Sequence, residues 1–483
     1  MEDLETKNIG KNAIKSVFAL TTRTAILQII AFVANFFLTV LLSPEIFGVF
    51  FLVSAVVSFL NYFSDIGLAA ALVQKKGGVS EIELRTTFTI QQILVGSLTI
   101  LAFVLSPFIQ TFFRFSSEGV FLFQALIVSF FLTSLKTIPS ILLERKLQFD
   151  KLVIPQILET LLFHITAVVL AYLGWGIHAF TVAVLMRSVV GLIAIYVVAP
   201  WRPGIALDRD AARKLLSFGV PFQINSVLAL IKDDLFTIYL GRVLPLAQIG
   251  YIGWAKKWAE LPLRLIMDNI IKVTFPAYSR LQHDPVRLKK AIESALFFLV
   301  LLAVPITLVM ISVMRPFIDI VPRYEKWYPA LFSFYLFCLS SLLSTITGPL
   351  TNVFNSTGHV KKTLVFMVVW TVMTWTIIPA MIPTFGFNAV ALGMFIISLS
   401  VIVIAYLAKR LTHITYRYSI GKPLLTAIPL AVYLLVISLL PVSGVLQIAL
   451  LLLGGGSVWA LTVYIFAKQD ISHVIHTVRN RIQ

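Results

Sequence analysis

The chain has 483 residues, 59% of them hydrophobic and 13% charged, with a mean hydropathy of +0.93; an ordinary soluble domain is about 25% charged, so the water-soluble classes are excluded. The formal charge of +17 raises nucleic acid as a partner, and the placement of the basic residues argues against it below. The single cysteine, Cys338, excludes an internal disulfide and a multi-cysteine metal site.

From the N-terminus, the acidic start Met1–Glu5 lacks the basic n-region of a cleaved signal peptide. Apolar runs follow at 16–42, 46–73, 86–108, 119–143, 152–173, 177–200, 215–241, 246–279, 293–314, 329–355, 363–382, 386–408, 423–440 and 444–467, fourteen in all. A spanning helix takes about 20 mostly apolar residues. Helices are the expected form because lipid leaves every backbone N–H and C=O to be satisfied internally, and the runs lack the short alternation of barrel strands. No loop exceeds roughly 15 residues, which leaves no linker to a separate domain. At the end, Ile471, Val474, Ile475, Val478 and Ile482 share one helical face, so 469–483 reads either as a short amphipathic helix on the inner surface or as a disordered end.

Of the 39 Lys and Arg, 26 lie in the N-terminus, the even-numbered gaps and the tail; five lie in the odd gaps (Arg114, Arg242, Arg315, Arg323 and Lys326) and eight inside the runs. Such asymmetry predicts cytoplasmic termini by the positive-inside rule. It makes the net charge a topology signal and a match to anionic lipid rather than to nucleic acid.

The chain also repeats itself. Leu42-Ser43-Pro44-Glu45-Ile46-Phe47-Gly48 is echoed at an offset of 202 by Leu244-Pro245-Leu246-Ala247-Gln248-Ile249-Gly250. Gly174-Trp175-Gly176-Ile177-His178-Ala179 is echoed at an offset of 210 by Thr384-Phe385-Gly386-Phe387-Asn388-Ala389. Six helices per repeat is an even number, so the halves are parallel. The expectation is an all-α integral membrane protein of about 14 transmembrane helices: an N-lobe over 1–200, a C-lobe over 201–410, helices 13 and 14 over 411–468, and the tail, with a central cavity between the two lobes.

Fourteen ionisable residues sit inside the apolar runs: Arg23, Asp65, Lys136, Glu159, Arg187, Lys232, Asp233, Asp234, Lys256, Lys257, Glu260, Arg264, Asp268 and Lys272. A charge at the bilayer centre costs at least about 2.5–3.5 kcal/mol, so these side chains should meet a partner or a wet cavity. Lys257, Glu260, Arg264, Asp268 and Lys272 form one stripe on helix 8, with Trp254 and Trp258 beside it. The stripe is either a lumen lining or a self-neutralised ladder, with Lys257–Glu260 and Arg264–Asp268 as its pairs. Aromatic faces suit sugars and a guanidinium suits phosphate. Candidate substrate contacts are therefore Arg23, Lys136, Arg187, Lys232, Lys257, Arg264, Trp254 and Trp258. Candidate ion-coupling residues are Asp65, Asp233, Asp234, Glu260 and Asp268; interhelical salt bridges are the alternative reading, and snorkelling is the alternative for Lys136, Lys256 and Lys272. Eight basic against six acidic residues predict a mildly cationic cavity suited to a diphosphate. No Cys/His cluster has metal spacing and no phosphate-loop motif occurs, so neither a metal nor another cofactor, and no ATPase, is expected.

Several segments are similar to the Wzx-like polysaccharide flippases of the MOP superfamily. Leu42–Gly48 resembles that family's L-x-P-E-x-x-G turn, and Asp65–Gln74 its D-x-G-x-x-x-A-L-[IV]-Q end of helix 2. Glu144–Phe149 resembles the segment between helices 4 and 5, Asp234–Gly241 with Leu244–Lys257 the helix 7–8 hairpin, and Phe275-Pro276-Ala277 the end of helix 8. The resemblance covers about residues 15–410. It implies a bacterial inner-membrane protein that moves an undecaprenyl-diphosphate-linked oligosaccharide by alternating access, with a polysaccharide polymerase and glycosyltransferases as partners, and no enzyme activity. The family commonly keeps an Arg before the first turn; Leu38-Thr39-Val40-Leu41-Leu42 has none, so that residue's role does not transfer. A cation-coupled multidrug exporter on the same repeat is the alternative, disfavoured by the basic excess. An intramembrane enzyme is a third reading, without the large outer loop or acidic donor motif it would need.

Overall fold

The structure is a computed structural model that describes residues 27–75, 77–224, 227–466 and 468, less the side chains of residues 222, 224, 261, 265, 268, 269, 272 and 273. Arg23 and the tail 469–483 lie outside the described residues, as do the side chains of Asp268 and Lys272. The described residues form helices and turns and no strand. The chain divides into two compact units, one ending at Gly250 and one beginning at Tyr251.

The first unit runs through α1 (Leu27–Leu41), α2 (Pro44–Tyr62), α3 (Leu68–Gln74), α4 (Glu81–Val104), α5 (Ser106–Phe113), α6 (Ser117–Ser134), α7 (Thr137–Arg145), α8 (Phe149–Tyr172), α9 (His178–Val198), α10 (Arg209–Ile224), α11 (Val227–Leu230), a π-turn (Ile231–Leu235) and α12 (Phe236–Val243). Helix α13 (Leu246–Leu281) carries the chain into the second unit. There follow α14 (Pro285–Ile320), α15 (Leu331–Ser356), α16 (Val360–Phe385), α17 (Asn388–Ser398), α18 (Val401–Thr412), α19 (Lys422–Leu439), α20 (Gly444–Ala449) and α21 (Gly455–Phe466).

Among the described residues, eleven helical segments are long and apolar enough to cross a membrane, and the chain is a multi-pass membrane protein. The three remaining apolar runs are those that fail on length, continuity or charge. They are α1, described over 15 residues; the interrupted α10–α12, with Lys232, Asp233 and Asp234; and α13, with Lys256, Lys257, Glu260, Arg264, Asp268, Lys272 and Arg280.

Local chemistry sets the helix ends. Ser43 caps α2 ahead of Pro44 at its first position. Ser80 and Glu83 form a reciprocal capping box on α4, and Asp284 caps α14 ahead of Pro285. The turns before α9 and α17 share one geometry. Gly176 and Gly386 both have φ of 55°, Ala179 and Ala389 donate to their carbonyls at 3.2 Å, and both alanines are fully buried.

Two glycine contacts join helices in the first unit. A Cβ on Gly48 would lie 1.8 Å from the Leu246 carbonyl oxygen, and a Cβ on Gly250 would lie 1.9 Å from that of Pro44. Gly67, at φ of 76°, lies so close to α10 that a Cβ would meet the Gly219 carbonyl oxygen at 2.3 Å. One turn further on, the Tyr62 hydroxyl donates to the Gln223 carbonyl and the Gln223 amide returns a bond to the Tyr62 carbonyl at 2.6 Å. In the second unit, Leu430 and Leu434 of α19, Leu451 of the turn Leu450–Gly454, Leu308 and Val309 of α14 and Trp459 of α21 meet in one apolar cluster.

Candidate functional site

The first unit assembles a polar strip at the middle of its spans, and it begins with a proline. Pro139 has no N–H to give the carbonyl four residues back, Leu135. The helix breaks there, between α6 and α7, and the Tyr196 hydroxyl from α9 donates to the freed Leu135 carbonyl at 3.0 Å. Lys136 stands at the break. Its ammonium lies 2.7 Å from Glu159 Oε1 on α8, with the two side chains 13% and 15% exposed. Glu159 fits because α9 has glycine opposite: a Cβ on Gly191 would sit 2.0 Å from that same Oε1.

One turn along each helix, Arg187 of α9 lies over the ring of Phe163 of α8, 5.7 Å from its centroid. Arg187 is the tenth of 21 residues in α9, is exposed, and has no carboxylate partner among the described residues. A guanidinium at that depth is tolerated only against water or a polar group. Helix α4 extends the strip: Gln91 donates to Thr137 Oγ1 at 2.8 Å, and Ser134 to Gln92 Oε1 at 3.2 Å. Thus Glu159, which composition alone gives no role, pairs with Lys136 and packs against Gly191, one helical turn from Arg187. Its signal in the sequence is Gly191, an unaccompanied glycine inside an apolar helix.

The charge triplet on α10–α12 occupies the π-turn. Lys232 pairs with its neighbour Asp233 at 2.9 Å, Asp233 is exposed and Asp234 half-buried. The Thr237 hydroxyl donates to the Asp233 carbonyl at 2.8 Å. A widened turn is a frequent mark of function within helices.

Asp65 has a different geometry. Its two carboxylate oxygens accept from the backbone N–H of Gly67 at 2.9 Å and of Ala69 at 3.1 Å, so it caps α3. The other end of α3 is held by Arg145, whose guanidinium donates to the carbonyls of Leu72, Lys75 at 3.1 Å and Gly77 at 2.5 Å.

In the second unit, α13 carries the other candidates. Glu260 Oε2 takes Arg264 at 2.7 Å and Oε1 lies 3.9 Å from Lys256; Arg264 keeps 60% of its side chain exposed. Arg264 thus pairs with Glu260, an i, i+4 contact on one helix face, while the expected Arg264–Asp268 pair lies outside the described residues. Lys257 and Trp258 are half-buried. Trp254 is 1% exposed. It stacks on Trp327 with centroids 5.2 Å apart and planes 10° apart, and its indole N–H donates to the Tyr324 hydroxyl at 3.1 Å. Its ring is thus covered by protein, and it anchors the short helix Glu325–Ala330 rather than presenting a face to a sugar.

The chain is 22% identical over 386 residues to the lipopolysaccharide biosynthesis protein WzxC of Escherichia coli (strain K12), covering 77% of this chain and 76% of that one. It is 23% identical over 252 residues to the succinoglycan biosynthesis transport protein ExoT of Rhizobium meliloti (strain 1021), covering 52% of this chain; here it spans about half, 51%, of the relative's length. The fold is that of the lipid II flippase MurJ in an inward closed conformation, at a TM-score of 0.71 and 17% identity, over 92% of this chain and 100% of that one. An inward-facing multidrug resistance MATE family transporter of the MOP superfamily shares it at 0.60 and 17% identity, over 82% and 98%. A family model described as polysaccharide biosynthesis protein matches residues 37–331, and with more than half of its length inside that match the chain belongs to this family.

Proposed function

We propose that the protein is a flippase that moves an undecaprenyl-diphosphate-linked oligosaccharide across the bacterial inner membrane by alternating access, as a step in making a cell-surface polysaccharide. The observation that carries the reading is Arg187: an exposed guanidinium at mid-span, next to the Lys136–Glu159 pair, in a chain whose relatives include polysaccharide transport proteins. Diphosphate is the chemistry that such a group recognises, and a polyprenyl tail stays in lipid while the head group crosses. The substrate-contact residues on this reading are Lys136, Arg187, Lys232, Lys257, Arg264 and Trp258. Asp233, Asp234 and Glu260 serve ion coupling.

Eleven described spans, with α1, α10–α12 and α13 as further crossings, support a count of fourteen, and the asymmetry of Lys and Arg supports cytoplasmic termini. Two parallel six-helix lobes, with α19–α21 outside the duplication, are supported by the matched turns at Gly176 and Gly386 and by the reciprocal Gly48–Gly250 contact. The compact units divide later than the repeat, at Gly250, because α10 packs on α3 through Gly67 and Gly219 and α12 on α2 through Gly241 and Leu52. A polymerase and glycosyltransferases are the partners this role requires.

The test is flipping of a lipid-diphosphate-linked oligosaccharide by purified protein in proteoliposomes. Arg187→Ala is expected to lower the rate by at least about tenfold while leaving the protein folded; tenfold is the loss of about 1.4 kcal/mol of head-group binding. Equal rates for wild type and Arg187→Ala would remove the residue from the pathway.

A further inference from the structure

Resting on that reading, we infer that Glu159 is a specificity-determining residue: its carboxylate competes with the substrate head group for Lys136, and so discriminates a diphosphate from a monophosphate. Among the described residues Lys136 is the one partner of Glu159, at 2.7 Å, and the pair keeps 13% and 15% of its side-chain surface open. Neither charge has a second ion to fall back on, so each is held at mid-span by the other alone. Glu159 is also seated in a slot that exists only because residue 191 is glycine. A buried pair of this kind gives little net stability, and a plain structural bridge would not need an open edge.

The neighbouring Arg187, one turn from Gly191 on the same helix, has an aromatic ring for company and no carboxylate among the described residues. It is the more exposed of the two cations and the one without a resident carboxylate among the described residues. A head group with one phosphate satisfies Arg187 and leaves Glu159 on Lys136. A head group with two satisfies Arg187 with one phosphate and offers the second to Lys136, where its higher charge outcompetes a carboxylate. Glu159 thus acts through Lys136, as a resident anion that only a diphosphate displaces.

The experiment measures binding of undecaprenyl diphosphate and undecaprenyl monophosphate to the full-length protein in nanodiscs, with inorganic diphosphate as competitor. Wild type is expected to prefer the diphosphate by roughly tenfold, the effect of one added charge contact. Glu159→Gln is expected to tighten monophosphate binding and erase the preference. Gly191→Ala, which crowds the carboxylate out of its slot without changing any charge, moves the ratio the same way, and Lys136→Gln weakens the diphosphate alone. Competition by inorganic diphosphate supports recognition of the head group itself. A preference unchanged in both Glu159→Gln and Gly191→Ala overturns the inference and leaves the flippase reading standing. Wild-type protein that binds neither lipid overturns both.

Discussion

Asp65 shows how a mid-sequence charge is spoken for by its own backbone. The tight turn Asp65-Ile66-Gly67 places two N–H groups at its carboxylate, with Ile66 and Gly67 both at positive φ, and asparagine offers the same acceptor geometry to one of them. Asp65→Asn is therefore expected to keep flipping near wild-type rate, while Asp65→Ala lowers stability by about 1 kcal/mol, the usual loss of an N-cap, read as thermal unfolding in detergent. A folded Asp65→Asn protein without transport would instead give the carboxylate a titrating role. The motif Asp65–Gln74 was legible from sequence as a unit, but its partner was not: Arg145 lies 71 residues beyond Gln74 and grips the chain by carbonyl oxygens, which carry no residue identity. The same limit applies to Trp254. Spacing puts it beside the polar stripe of α13, and only the fold reveals that Trp327 and Tyr324 cover it.

At the scale of elements, hydropathy located the spans because it is a property of composition, and it was blind to where they bend. The α6–α7 break follows from Pro139 and is satisfied by Tyr196, two residues 57 apart, so the signal was present and its compensation was not. The π-turn at Ile231–Leu235 has no comparable signal beyond three adjacent charges. It precedes α12, whose packing depends on Gly241: a Cβ there would lie 2.4 Å from Leu52 Cδ1, and Leu52 is fully buried. Gly241→Ala is expected to cost about 1–3 kcal/mol as overpacking, and Leu52→Ala in the same chain to recover part of it by opening the space. A double variant no more stable than Gly241→Ala alone, by the same thermal scan, would place the strain elsewhere.

Across the whole molecule, the positive-inside count is the boldest extrapolation from sequence, and the segment 315–328 is its hardest case, with three basic residues on the side expected to have few. Cys338 is buried, so introduced cysteines report on a quiet background. In spheroplasts, an impermeant maleimide is expected to label Glu325→Cys directly and Lys361→Cys only after permeabilisation; the reverse pattern would invert the topology. Helices α10–α12 and α13, which composition marked by their clustered charges, also fall short of a simple span, because lipid resists buried ions. The contact between Gly48 and Gly250 reaches further back. Each glycine clears a carbonyl that sits four residues before its own counterpart, at Leu246 and at Pro44, which is the isologous arrangement two identical half-length chains adopt about a twofold axis. A side chain gained at either position strikes main chain that no rotamer can move aside, so glycine is required at both sites at once.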